Sequence, residues 1–149
     1  KHSLIDINLA CKGDLEVDEH HTIEDVGIAM GKTINKALGS KKGIERYGFV
    51  LPMDEAQARV ALDFSGRPFL KFEGEFTREH VGDFPTEMVE HFFYSLAINM
   101  DATLHITLDG ENEHHLIEAA FKGFARALRN AIQRNEHTIN ILPSSKGLL

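Results

Sequence analysis

One six-residue pattern occurs twice in this chain of 149 residues. Residues 19–24 read EHHTIE and residues 113–118 read EHHLIE, so five of six positions are identical at a separation of 94 residues. Self-similarity at a fixed separation indicates duplicated structural units. We therefore predict one domain of two related halves, a truncated first half at residues 1–44 and a second half at residues 45–149.

The sequence around the two copies is also similar. Alternating apolar residues predict a strand before each copy, at 4–10 and at 102–108. Helical spacing follows each copy, at 22–38 and at 116–132, and Gly39 is a typical residue to end the first helix. Further strands are predicted at 46–51, 56–64 and 69–76, and a further helix at 85–100. This order of elements indicates an α+β fold.

The composition excludes several classes of protein. Sixteen basic residues against 23 acidic ones give a net charge of −7, which argues against a basic nucleic-acid binder. No apolar run reaches the roughly 18 residues that a membrane helix needs. The single cysteine, Cys11, allows no internal disulfide and favours a reducing compartment such as the cytoplasm. The nine histidines point instead to metal ligation by nitrogen and oxygen or to acid–base chemistry.

The repeated His-His-x-x-Glu pattern offers metal ligands. On a helix Glu24 lies one turn from both His20 and His21, so its carboxylate is close to either imidazole. Adjacent helical residues differ by about 100° around the axis, so we expect the two histidines to face different metal ions. A single such pattern usually marks a solvated polar face, but its duplication favours metal binding. Imidazole and carboxylate without thiolate suit Mn, Fe, Co or Zn.

His91 has two possible roles. It adjoins Phe92 and Phe93, which is typical of a core histidine with satisfied hydrogen bonds, but it is also a candidate metal ligand. It precedes the second His-His pair by 23 residues, and its counterpart in the first half would lie just before residue 1. We therefore expect an upstream helix, absent from this sequence, to carry a further histidine.

A second group of residues is cationic and polar. Arg46, Arg67 and the run Ser144, Ser145 and Lys146 combine hydroxyls, backbone donors and positive charge, a set suited to phosphate. Ordinary surface charge is the alternative. Lys122 lies one turn after Glu118, so a local ion pair would explain it equally well.

Short motifs along the whole chain resemble the imidazoleglycerol-phosphate dehydratase family of histidine biosynthesis. They stand in family order, at residues 18–25 (DEHHTIED), 46–48 (RYG), 52–56 (PMDEA), 63–68 (DFSGRP), 91–93 (HFF), 112–115 (NEHH), 118–119 (EA), 121–122 (FK) and 143–147 (PSSKG). The family's upstream Phe-Leu-Asp-His-Met-Leu motif and its early glutamate are not in this sequence. His2 matches the histidine that closes that segment.

The resemblance implies tandem duplicated half-domains of the ribosomal protein S5 domain 2-like fold, with helices packed between β-sheets. It implies trimers that assemble into a 24-subunit homo-oligomer, with two Mn(II) ions in each active site between subunits. The implied metal ligands are His20, His21, Glu24, His91, His114, His115 and Glu118. The implied substrate contacts are His2, Arg46, Arg67, Lys122, Ser144, Ser145 and Lys146.

The implied reaction is a hydro-lyase step, in which D-erythro-imidazoleglycerol phosphate loses water to give imidazole acetol phosphate. Lewis-acidic ions on the ring nitrogens would help to expel the neighbouring hydroxyl. Glu19, Glu24 and Glu118 are the candidate catalytic carboxylates, with Glu19 and the missing upstream glutamate as equal candidates for the base. The alternative is a metal-binding assembly protein that lacks activity because its upstream segment is absent.

Overall fold

The computed structural model describes the backbone of residues 1–149 and all side chains except those of residues 49 and 50. The helices are α1 (His20–Leu38), α2 (Met88–Asn99) and α3 (Glu113–Ile132), with a short 3₁₀ helix at Glu136–Thr138. The strands are β1 (Tyr47–Met53), β2 (Ala56–Asp63), β3 (Phe69–Glu73), β4 (His80–Val81), β5 (Phe84–Pro85) and β6 (Thr103–Asp109). The predicted α+β class is confirmed.

Four strands form one mixed sheet in the order β1-β2-β6-β3. β2 pairs antiparallel with β1 and β6, whereas β3 pairs parallel with β6. Side chains alternate along β2, so that Ala58, Val60 and Leu62 are buried while Arg59 is exposed. The sheet therefore has one core face and one exposed face, as strict alternation predicts.

The helices form a layer on the core face of the sheet. α3 packs on β1 and β2, α2 packs beside β3, and α1 packs on α2. A Cβ atom at Gly48 would lie 2.1 Å from the carbonyl oxygen of Ala127, so β1 and α3 approach as closely as they do only with glycine there. Among the described residues, the side of α1 that faces away from α2 is not covered by a second sheet, whereas helices between sheets were expected.

Two glycines bring α1 against α2. A Cβ atom at Gly27 would lie 3.0 Å from the carbonyl oxygen of Phe92, and one at Gly31 would lie 2.6 Å from that of Leu96. Both contacts advance by four residues in each helix, so the two helices run in the same direction. The amino-terminal turns of α1 and α2 therefore lie side by side, which places His20 near His91.

The predicted strand at 4–10 is wrong. Residues 4–10 have no strand hydrogen bonding, and the side chains of Leu4, Ile7 and Leu9 are exposed. Alternation alone does not make a strand, because its backbone groups need a neighbouring strand for hydrogen bonding. None lies beside this segment in the part of the chain that the structure describes.

The other predicted elements are present with shifted ends. Both helices that follow the repeated pattern start earlier than predicted, because the pattern forms their first turn. The helix expected at 85–100 begins at Met88, since Phe84–Pro85 pairs with His80–Val81 as a two-stranded ribbon that the sequence did not indicate. The side chains at two positions of the first predicted strand, 49 and 50, lie outside the described residues. No helix in the described structure has the length and apolar character that crossing a membrane requires.

Candidate metal centre and anion site

Three predicted ligands meet where α1 and α2 begin. Donor atoms of His20, Glu24 and His91 all lie within 4.8 Å of one another. Nε2 of His91 is 3.5 Å from Oε1 of Glu24, and the imidazole centroids of His20 and His91 are 4.5 Å apart. Two imidazoles and one carboxylate at this spacing form a set typical of a divalent transition-metal ion.

His91 supplies a test of whether this cluster fits a metal. Its Nε2 atom is buried and has no hydrogen-bond partner among the described residues, since the approach to Glu24 does not have hydrogen-bond geometry. A core histidine with satisfied hydrogen bonds would have a partner for this atom, so that alternative is wrong for Nε2. A buried polar atom without a partner calls for an explanation, and a cation held with His20 and Glu24 supplies one.

The adjacent histidines of each pair diverge, as the helical angle predicts. The rings of His20 and His21 have centroids 6.0 Å apart and planes at 80°, and those of His114 and His115 are 6.1 Å apart at 64°. His21 turns away from the cluster, with Nδ1 4.0 Å from Oδ2 of Asp14. Its ring is therefore free to face a different ion from the one that His20 faces.

The second pattern is arranged differently from the first. Nε2 of His114 is 3.8 Å from Oε2 of Glu118, and Nζ of Lys122 is 2.5 Å from Oε1 of the same carboxylate. Nδ1 of His115 lies 2.7 Å from Oε2 of Glu55. Within the described side chains, a third ligand comparable to His91 does not join His114 and Glu118.

Hydrogen bonds in this second group shift the pKa values of its members. The hydrogen bond between His115 and Glu55 raises the pKa of His115 and lowers the pKa of Glu55. The ammonium of Lys122 lowers the pKa of Glu118. The sequence allowed a local ion pair between Lys122 and Glu118, and this ion pair is present. A contact of Lys122 with phosphate stays a prediction.

Matching side chains start the two helices. Oδ1 of Asp18 accepts a hydrogen bond from the backbone N–H of His20 at 2.9 Å. Oδ1 of Asn112, which lies 94 residues later, accepts one from the N–H of His114 at 2.9 Å. Each acceptor satisfies a donor of the first turn, so each pair of histidines lies in the first turn of its helix.

The glutamates that precede the two pairs differ. The buried Glu113 accepts hydrogen bonds from the backbone N–H and the hydroxyl of Thr77, which lower its pKa. Among the described residues, the side chain of Glu19 makes no hydrogen bond to the start of α1. It lines a cavity of about 510 Å³ whose wall also contains His20 and Thr77. Both repeated patterns therefore flank the loop that holds Thr77, and Glu19 is the one that faces open space.

Arg46 is more constrained than the sequence suggested. Its Nε and Nη2 atoms donate to the two carboxylate oxygens of Asp63 at 2.5 and 3.1 Å, and its Nη1 donates to the carbonyl of Pro143 at 2.7 Å. The hydrogen bond with Asp63 raises the pKa of Arg46. Arg46 thus fixes the residue directly before the Ser144–Lys146 run.

The turn that carries Arg67 lies beside the same tail. A Cβ atom at Gly66 would lie 2.5 Å from the carbonyl carbon of Leu149. Within the tail, Oγ of Ser144 accepts a hydrogen bond from the backbone N–H of Lys146 at 3.3 Å. Arg67, Ser145 and Lys146 are exposed, so their polar groups are available to an anion.

Within a single subunit, Lys122 lies far in space from Arg46. Its Nζ is 3.4 Å from Sδ of Met53, at the end of β1, whereas Arg46 directly precedes the start of that strand. Seven residues of strand span about 20 Å. His2 lines an apolar groove of about 720 Å³ that extends along α3 from Lys122 to Arg134. Of the other predicted substrate contacts, Lys122 therefore lies at one end of β1 and Arg46 at the other.

The sequence by itself predicted no role for Glu55, Asp63 or Thr77. Glu55 contacts His115 across 60 residues of sequence, and Thr77 contacts Glu113 across 36. Helical or strand periodicity carries no information about such contacts. Glu55 and Asp63 lie in stretches that resemble the family, at 52–56 and 63–68, which was the sequence's one indication of their importance. The sequence held no such indication for Thr77.

Comparison with known proteins identifies relatives of this arrangement. A profile of the imidazoleglycerol-phosphate dehydratase family matches residues 1–128. The histidine biosynthesis bifunctional protein HisB of Bacteroides fragilis is 56% identical over the whole chain, and that of Spirosoma linguale is 53% identical. The chain spans 40% and 39% of the length of these two relatives.

Solved structures have the same fold. The imidazoleglycerol-phosphate dehydratase of Staphylococcus aureus matches with a TM-score of 0.77 and 46% identity, over 83% of this chain and 71% of that one. The enzyme of Pyrococcus furiosus matches with a TM-score of 0.76 and 36% identity, over 88% and 72%. With the profile covering most of the chain and the fold shared, the protein belongs to the imidazoleglycerol-phosphate dehydratase family.

Proposed function

We propose that this chain is the dehydratase unit of histidine biosynthesis and converts D-erythro-imidazoleglycerol phosphate into imidazole acetol phosphate with Mn(II). The observation that carries this proposal is the cluster of His20, Glu24 and His91, in which the buried Nε2 atom of His91 has no hydrogen-bond partner among the described residues. The reaction itself is taken from the family. The chain spans only about two fifths of the length of its curated relatives, so this reaction is part of the proposal.

The residues present fit a pair of divalent ions. His20, Glu24 and His91 would hold one ion, while His21, His114, His115 and Glu118 supply the remaining nitrogen and oxygen donors. These donors suit Mn(II), which prefers imidazole and carboxylate to thiolate. When bound, the ions would supply Lewis acidity at the ring nitrogens of the substrate.

The protein's own residues hold the substrate and move the proton. Arg67, Ser144, Ser145 and Lys146 would bind the phosphate through charge-assisted hydrogen bonds and so fix the reacting carbons. Glu19 would accept the carbon-bound proton as the hydroxyl leaves, giving an enol that becomes the ketone. Its position in the cavity that His20 lines supports this role, whereas Glu113 is occupied by Thr77.

The separation of the two cationic groups supports a site shared between subunits. Lys122 lies at the end of β1, and the tail that carries Lys146 is held by Arg46 just before the start of β1. A single phosphate cannot contact both lysines of one chain, because β1 spans about 20 Å. A homo-oligomer that brings the Arg67 end of one subunit to the metal end of another would unite them. Trimers assembled into a 24-subunit particle would provide such interfaces.

The proposed reaction has a direct test. Purified protein is treated with EDTA, reloaded with Mn(II) and supplied with imidazoleglycerol phosphate, and the product is followed by the absorbance of its enol and ketone forms. We expect turnover only after reloading. Protein that contains Mn(II) but leaves the substrate unchanged would contradict the proposal.

A metal-binding assembly protein without activity is the second candidate. It is favoured by one observation, that His114 and Glu118 lack a third ligand within the described side chains. Elemental analysis separates the two candidates, because about two Mn per chain supports a complete site. One Mn or none, together with no turnover, supports the inactive protein.

Changing Arg67 to alanine should weaken substrate binding without removing metal. Loss of a charge-assisted hydrogen bond to phosphate is expected to raise KM about 10- to 100-fold with little change in kcat. Steady-state kinetics and Mn content measure both effects. Arg59→Ala, at an exposed arginine on the outer face of β2, is the matched control. Loss of Mn from the Arg67 variant would show that this arginine has another role.

A further inference from the structure

Glu55 joins the turn between β1 and β2 to the start of α3. Its two carboxylate oxygens have different partners. Oε1 accepts a hydrogen bond from the backbone N–H of Asn112 at 3.1 Å, and Oε2 lies 2.7 Å from Nδ1 of His115. Both partners belong to the first turn of α3 or to its cap, so one side chain holds the backbone and the imidazole together.

The chemistry of this contact sets the proton on the ring. An ionised carboxylate only accepts hydrogen bonds, so Nδ1 of His115 must carry the hydrogen. In the neutral ring, Nε2 is then left with a free lone pair, which is the form that a metal ion binds. The backbone is fixed as well, because the N–H of His115 donates to Oδ1 of Asn112 at 3.4 Å.

Among the described side chains, none makes such a contact with His21, the counterpart of His115 in the first pattern. Its nearest acidic partner is Oδ2 of Asp14 at 4.0 Å, which is beyond hydrogen-bond distance. The side chain of Asp14 is 53% exposed and that of His21 is 65% exposed, whereas that of His115 is 27% exposed. The ring of His115 is therefore held in advance and that of His21 is not.

We propose that Glu55 is a positioning residue that fixes His115 in the Nδ1–H tautomer, with Nε2 ready to bind the metal ion. The proposal rests on the proposed function, because it takes His115 as a ligand. Mutation of a group that orients a metal-bound histidine typically lowers metal affinity or activity 10- to 100-fold. Glu55 acts through His115 and needs no contact with the substrate.

Glu55→Gln tests the orientation directly. An amide has one acceptor oxygen for two donors, and if that oxygen stays on the N–H of Asn112, the NH₂ group faces Nδ1. The ring should then shift to the Nε2–H tautomer. ¹⁵N NMR of metal-free protein, at a pH where the ring is neutral, is expected to show Nδ1–H in wild type and Nε2–H in the variant. An unchanged tautomer in E55Q overturns the proposal.

Mn(II) titration supplies the second readout. We expect E55Q to weaken binding at the His115 site about 10- to 100-fold, with the circular dichroism of metal-free protein unchanged. Glu55→Asp, which keeps the carboxylate, should recover part of the loss. Glu111→Gln, at an exposed glutamate beside Asn112, is the matched control. Wild-type protein that binds no Mn(II) would refute the proposed function, whereas equal affinity in wild type and E55Q would refute the role of Glu55.

Discussion

Changing His91 to alanine is expected to remove the metal ion that it shares with His20 and Glu24, and to reduce turnover more than about 100-fold. Outer-sphere partners of metal-bound histidines already contribute 10- to 100-fold, so a direct ligand should contribute more. Elemental analysis should show a loss of about one Mn per chain, and steady-state kinetics should show the lower kcat.

The same variant should behave differently when metal is absent. Nε2 of His91 has no partner among the described residues, so its removal eliminates a buried polar atom that costs free energy. We expect the metal-free variant to be about as stable as the metal-free wild type, and the rise in Tm on adding Mn(II) to be smaller in the variant. His105→Ala, at an exposed position on β6, is the control. Full Mn content in the His91 variant would show that the cluster is not the metal centre.

Changing Arg46 to alanine is expected to lower the free energy of unfolding by about 2 kcal/mol. Removing one partner of a fully buried ion pair costs about 3–5 kcal/mol, and the Arg46–Asp63 pair is only partly shielded, with side chains 13% and 23% exposed. The bond to the carbonyl of Pro143 is lost as well. Urea unfolding should show the loss, and Tm should fall by about 4 to 8 °C.

Arg46→Lys separates charge from geometry. A lysine keeps the positive charge but cannot bind both oxygens of Asp63 and the carbonyl of Pro143 at once, so only part of the stability should return. The tail around Ser144 should also become more sensitive to protease in the alanine variant. If that variant is as stable as wild type and its tail equally resistant, Arg46 does not anchor the tail.

Local sequence patterns predicted the helices well. Each helix buries an apolar stripe, so helical spacing identifies it, and Asp18 and Asn112 accept hydrogen bonds from backbone N–H groups in the first turns of α1 and α3. The strand at 4–10 shows the limit of the same reasoning. A strand is completed by a neighbour that can be distant in sequence, and alternation says nothing of whether that neighbour is present.

The candidate ligand residues could likewise be selected from the sequence, but their arrangement could not. The repeated pattern identified His20, His21, Glu24, His114, His115 and Glu118 from residue type and spacing. The meeting of His91 with His20 and Glu24 depends on the close approach of two helices at Gly27 and Gly31. Helix packing of this kind joins residues that no local period relates.

By itself the sequence determined the α+β class, the two histidine-rich helix starts and the nitrogen and oxygen chemistry that they offer. These are local properties, set by periodicity, capping and the donor atoms of each side chain. Only the tertiary structure decided that Nε2 of His91 lies near Glu24 with no hydrogen-bond partner among the described residues, that Arg46 binds Asp63 and the tail, and that Glu55 holds His115. Each of these depends on distances between residues far apart in the chain, which are set when the sheet and the helices pack together.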